Sequence, residues 1–113
     1  MIITSRAILE KYLTFDDKCF KAYQDLGIIY TGANRHKDAV DVFSQSLKLK
    51  PDEAISHKWL GIAIQNPGRH EEAVNALKSA VKLSPEPDPK RDLQLAHSLY
   101  AISQYREATK YYN

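Results

Sequence analysis

The chain has 113 residues, room for one ordinary domain with a core of its own and too little for two. Sixteen basic against fourteen acidic residues leave a formal charge of +2, which excludes a dedicated polyanion-binding surface and leaves only local patches. Cys19 is the single cysteine, so no internal disulfide forms. No run of ~18 apolar residues is present to span a membrane, and the apolar stretch at the N-terminus is too short for a signal peptide. An intracellular, cytoplasmic setting is expected.

Apolar residues recur at helical spacing along the whole chain, and strand alternation is missing. The opening SRAILEKYLTFDDK carries Ser5, Leu9 and Tyr12 at places that recur downstream, and residues 1–19 are predicted as the second helix of a pair whose first helix is missing. Residues 20–53 predict two helices, one built on Tyr23, Leu26, Gly27 and Tyr30 and the other on Ala39, Val40, Phe43 and Leu47, broken at TGANRH. Residues 54–88 repeat the plan with Leu60, Gly61, Ala73 and Leu77, broken at QNPGRH, where Pro67 and Gly68 interrupt the helix. Pro51 and Pro85 close the two pairs. Residues 89–113 open a third pair, with Asp88 as N-cap and Pro89 at the first helical position, and carry Leu95, Ala96, Leu99, Ala108 and Tyr112. The chain stops at EATKYYN, partway through that pair's second helix, so both ends read as cut from a longer array.

One offset organises these elements. Leu26-Gly27 recurs as Leu60-Gly61, Ala39 as Ala73, Phe43 as Leu77 and Pro51 as Pro85, each 34 residues on, and the third copy is shifted to 35 by one extra residue in SPEPDPK. Small residues at Gly27, Gly61, Ala96, Ala39, Ala73 and Ala108 are expected where two helices cross closely, with large residues filling the space beside them.

Catalytic and metal-binding patterns fail on spacing. In GRHEEAV a zinc helix would need a second histidine four residues after His70, and Val74 stands there. His36 and His70 share a repeat position and so lie about one helix-pair spacing apart, ~10 Å, too far to ligate one zinc at ~2.0–2.1 Å each; Tyr105 holds the same place in the third copy. No nucleophile elbow, phosphate loop or dinucleotide fingerprint occurs. Asp16-Asp17 and Glu71-Glu72 are read as acids at helix starts, favoured by the macrodipole. No catalytic residue, metal or cofactor is expected.

A 34-residue period with Leu-Gly and a tyrosine in the first helix, alanine and a large apolar residue in the second, and a closing proline resembles the tetratricopeptide repeat. The first copy supplies Tyr23, Leu26, Gly27, Tyr30, Ala39, Phe43 and Pro51, with tyrosine for the signature tryptophan; the second departs at His57 and Ile64, and the third has Ala96 for glycine. The resemblance implies an all-α, right-handed superhelical array of antiparallel helix pairs, an α-solenoid acting as a non-catalytic protein-interaction scaffold. It also implies that first helices line a concave groove. The groove residues are then Lys21, Gln24 and Ile28 from the first copy, Ile55, Lys58, Trp59 and Ile62 from the second, and Lys90, Leu93 and His97 from the third. Ile28, Trp59, Ile62 and Leu93 form an apolar strip edged by lysines, which suits an amphipathic or acid-flanked peptide.

The family's clamp for chaperone C-terminal carboxylates is not matched, since its five places hold Gln24, Ile28, Trp59, Lys90 and Gln94. Two other readings stand beside the groove: self-association or assembly through end helices, favoured by Tyr111 and Tyr112, and a helical-repeat RNA binder, against which the charge of +2 speaks.

Overall fold

The computed structural model describes residues 4–65, 68–102 and 111. Among them run six helices and no strand: α1 (Ser5–Phe15), α2 (Phe20–Gly32), α3 (His36–Leu49), α4 (Ala54–Gln65), α5 (His70–Leu83) and α6 (Pro89–Ala101). Pro67, Tyr105, Ala108 and Tyr112, all singled out in the sequence, lie outside the described residues.

Local chemistry explains the helix ends. The Thr4 hydroxyl caps α1 by accepting from the Ala7 N–H at 3.1 Å. Asp88 caps α6 by accepting from the Arg91 N–H at 3.2 Å, with Pro89 in the first turn as expected from the sequence. α3 and α5 stop one residue short of a C-cap, Lys50 and Ser84, which Pro51 and Pro85 follow. Both turns inside the pairs pass through left-handed backbone at the same register position, Asn34 at φ 64° and Gly68 at φ 88°, where asparagine and glycine bear least strain. One expectation is corrected. Glu71 and Glu72 do lie in the first turn of α5, but Asp16 is the C-cap of α1 and Asp17 follows in the turn, so neither begins a helix. The Asp16 carboxylate accepts from the Lys18 N–H at 3.0 Å, fixing the turn instead.

Packing follows from two close crossings. A Cβ on Gly27 would stand 2.6 Å from the Phe43 ring, and one on Gly61 would stand 2.6 Å from Leu77 Cγ, so only glycine lets α2 lie on α3 and α4 on α5. Ala39, Phe43, Ala73 and Leu77 are fully buried there. One apolar cluster gathers Leu26, Tyr30, Ala39, Phe43 and Ala63, and a second gathers Val74, Leu77, Leu95 and Leu99. Each helix packs on the next, α2 also packs on α4 and α4 on α6, whereas α3 and α5 do not touch. Elements that meet lie at the smaller radius, so α2, α4 and α6 share the inner, concave face of an array 49 × 26 × 20 Å in extent.

Candidate partner-binding groove

The inner face carries the predicted residues with different degrees of access. Ile55 on α4 and Leu93 on α6 are its exposed apolar side chains, at 47% and 42%, joined by Tyr100 at the C-terminal end of α6. Ile28, Trp59 and Ile62 are half-buried, the first two against the first cluster and Ile62 against the second. Lys21, Lys90 and His97 are exposed. Ile62 and His97 line a recess of about 510 Å³ together with Gln65, His70 and Gln94.

Trp59 is the centre of this face, and its environment is more polar than an apolar strip implies. Lys90 Nζ stands 4.6 Å and Lys58 Nζ 5.7 Å from its ring centroid, so two ammonium groups on successive first helices flank the indole. They are not equivalent. Lys58 Nζ donates to Asp88 Oδ2 at 2.7 Å, with the two side chains only 19% and 30% exposed, while Lys21 and Lys90 carry no ion pair among the described residues. Burial pushes the Asp88 carboxyl up, but the hydrogen bond from Lys58, the Arg91 N–H and both nearby cations outweigh it and hold Asp88 below its ordinary value. Trp59 thus packs on the core with one part and offers a cation-flanked surface with the rest.

Gln24 needs a second correction. It is 3% exposed and turned between pairs, donating from Nε2 to Ser56 Oγ at 3.0 Å. Ser56 Oγ lies 3.0 Å from Ser46 Oγ, which donates to the Phe20 carbonyl at 3.1 Å. A buried amide without these partners would be costly, so the side chain is a structural link and not a groove contact. A parallel link joins α4 to α6, where Gln65 Nε2 donates to the Gln94 carbonyl at 2.8 Å and to Ser98 Oγ at 2.6 Å. His70 Nδ1 lies 3.3 Å from the same hydroxyl, and His36 Nε2 lies 3.0 Å from Asn34 Oδ1. His36 is therefore engaged within its own turn, whereas His70 reaches across from α5 to Ser98 on α6.

Three participants were missed in the sequence: Ser56, Arg91 and the second role of Asp88. A signal existed for the first two. They occupy one register position, preceded by Ala22, and a polar side chain at a place otherwise held by alanine marks a buried partner. Nothing in the sequence signalled the pairing of Lys58 with Asp88, 30 residues apart.

Antiparallel helix pairs stacked so that their first helices share one inner face, held by small residues at the crossings, define an α-solenoid repeat protein. Residues 20–53 and 63–87 match the family model described as tetratricopeptide repeat. The chain belongs to the tetratricopeptide repeat family. Among solved structures, MamA from residue 41 to its end from Desulfovibrio magneticus RS-1 aligns with a TM-score of 0.85 and 21% identity over 95% of this chain and 60% of that one. MamA AMB-1 aligns at 0.81 and 25% over 95% and 58%, and a further MamA crystal structure at 0.83 and 21% over 92% and 56%. The chain spans less than two thirds of each of these neighbours. What they share with it is the fold. No curated protein sequence matches the chain significantly.

Proposed function

We propose that the chain is a non-catalytic scaffold that binds a segment of a partner protein on the inner face of α2, α4 and α6. The observation that carries this is the juxtaposition at Trp59: a partly buried indole on the face that carries the exposed Ile55 and Leu93, with the Lys90 ammonium against it and no carboxylate paired to that lysine among the described residues. The partner segment is one with an apolar anchor and a carboxylate beside it. The anchor buries Ile55, Trp59 and Leu93 from water. The carboxylate takes Lys90, with Lys21 further along the face, and Lys58 contributes through the charge it shares with Asp88. Ile28 and Ile62 shape the floor, and His97 borders the recess at the α6 end. In this reading residues 20–53 and 54–88 are two complete repeats flanked by partial ones at 1–19 and 89–113.

The test is selection of peptides on the intact chain from a displayed random library, followed by titration calorimetry of the winners. The Ile55→Gln/Leu93→Gln double variant removes exposed apolar surface without touching a core side chain. It is expected to weaken the selected peptides at least tenfold, since about 1.4 kcal/mol is a factor of ten. Equal affinity for the variant refutes the groove.

A second reading has an observation of its own. Ile8, Tyr12 and Phe15 stand at i, i+4 and i+7 on α1, exposed at 56%, 46% and 94%, an apolar face that suits assembly through an end helix. Tyr111, expected to favour this from the other end, instead packs half-buried against the second cluster. Light scattering at two concentrations separates the readings: a monomer at both fits the groove alone, and a mass rising with concentration fits assembly. The mild charge of +2 leaves RNA binding without support.

A further inference from the structure

The third residue of each first helix is buried: Ala22 at 5%, Ser56 at 0% and Arg91 at 4%. Two are small and the third is a large cation, which is rarely buried to this extent without partners. Arg91 has them. Its Nη1 donates to the Ser84 carbonyl at 2.8 Å, its Nη2 to the Glu86 carbonyl at 2.9 Å and its Nε to Asp92 Oδ1 at 3.0 Å. The two carbonyls belong to the link between α5 and α6, which is one residue longer than its counterpart between α3 and α4. A planar guanidinium fork reaches both carbonyls and a carboxylate at once, and a lysine ammonium at the same depth does not.

The tied link governs the helix that it leads into. Asp88, at its end, receives the Arg91 N–H on one carboxylate oxygen and Lys58 Nζ on the other, which joins the start of α6 to α4. Two residues further, Lys90 is delivered to the face of Trp59, and one turn later Leu93 enters the inner face. We propose that Arg91 is a positioning residue: by holding the longer link in one path, it sets the placement of α6 against α4 and so puts Lys90 beside Trp59 and Leu93 on the same inner face. The proposal rests on the groove reading only for its use, because the placement itself is measurable on the chain without any ligand.

Trp59 is the only tryptophan, so its fluorescence reports this one place. Iodide and acrylamide quench it by access, but iodide is also drawn by the ammonium groups beside the ring. At constant ionic strength and well below the unfolding midpoint, the ratio of iodide to acrylamide quenching is expected to fall about twofold in Arg91→Met, as roughly one unit charge departs from the ring. Helical circular dichroism stays at the level of the parent, and Arg91→Lys leaves the ratio low. Asp88→Asn keeps the cap and the link but frees Lys58 of its counter-charge, so the same ratio is expected to rise. An Arg91→Met chain that keeps the parental ratio while melting earlier would show Arg91 to be packing only, and wholesale loss of helicity would show the same; either result overturns the proposal. A groove that binds no peptide leaves these ratios as expected, and unchanged ratios leave the groove reading standing, so the two fail separately.

Discussion

The seam between α3 and α4 and the seam between α5 and α6 join neighbouring helix pairs by overlapping but unequal means. The first is neutral: Gln24, Ser56 and Ser46 exchange hydrogen bonds in a fully buried chain. The second adds ions to the neutral link of Gln65 with Gln94 and Ser98: Arg91 ties the connecting segment while Asp88 bridges to Lys58 at 30% exposure. Geometry of the helix pairs is the same on both sides, with Gly27 under Phe43 and Gly61 under Leu77. One period can thus be kept with different bonding at each joint, and the ion pairs of the second joint are expected to make it answer to pH and salt.

Both seams depend on the shared crossing, and Gly27→Ala disrupts that first. Alanine improves helix propensity by about 1 kcal/mol, but its Cβ at 2.6 Å from a fully buried ring has nowhere to go. With three Phe43 ring atoms within 2.8 Å, the overpacking cost is expected to exceed the usual ~1–3 kcal/mol, and a urea unfolding series should show a net loss. Next comes Ser56→Ala, which leaves Gln24 and Ser46 buried and short of a partner at a cost of ~1–3 kcal/mol. This loss should be the same at low and high salt. If it shrinks as salt rises, the first seam is not neutral in the sense meant.

Asp88→Asn isolates the second seam with a smaller effect, about 0.5–1 kcal/mol near neutral pH, because the pair is partly exposed and screened. Its pH dependence carries the sign. The Asp88 carboxyl is depressed in the folded chain, so its contribution is fully present above the ordinary value of 3.8 and is lost as pH falls from there through the lower folded value. Between neutral pH and acid the parent should therefore lose more stability than Asp88→Asn, all other carboxyls being common to both. Arg69→Ala gives the smallest effect. The Arg69 guanidinium and the Glu72 carboxylate, bonded at 2.8 Å through Nε, shift each other's titration yet lie in solvent, and thermal unfolding should hardly register the loss.

The fold was legible because the residues that demand it are steric. A glycine forced by a ring and an alanine at a crossing recur wherever the pair recurs, so Gly27, Gly61, Ala39 and Ala73 can be found by register alone. Burial of Phe43 and Leu77 follows from the same count. The helix face proposed as the groove was legible to the level of its elements, since Ile55, Lys58 and Trp59 lie on α4 and Lys90 and Leu93 on α6. Gln24 escaped because position on a first helix says which way a side chain starts, not whether a neighbouring serine waits to receive it. Lys58 escaped for a similar reason: its partner arrives from a link whose path depends on Arg91, and pairings across 30 residues leave no periodic trace. Asp16 misled because an acid pair looks alike before a helix and after one.

A partner segment lying on the inner face beside Trp59 must cover the indole, and that is directly measurable. Acrylamide quenching of Trp59 is followed while a selected peptide is titrated to saturation, with calorimetry on the same samples to confirm occupancy. Quenching is expected to fall in step with occupancy and emission to shift to the blue, as the peptide covers the indole beside Lys58 and Lys90. Full occupancy with quenching and emission unchanged would place the partner on another face and contradict the groove.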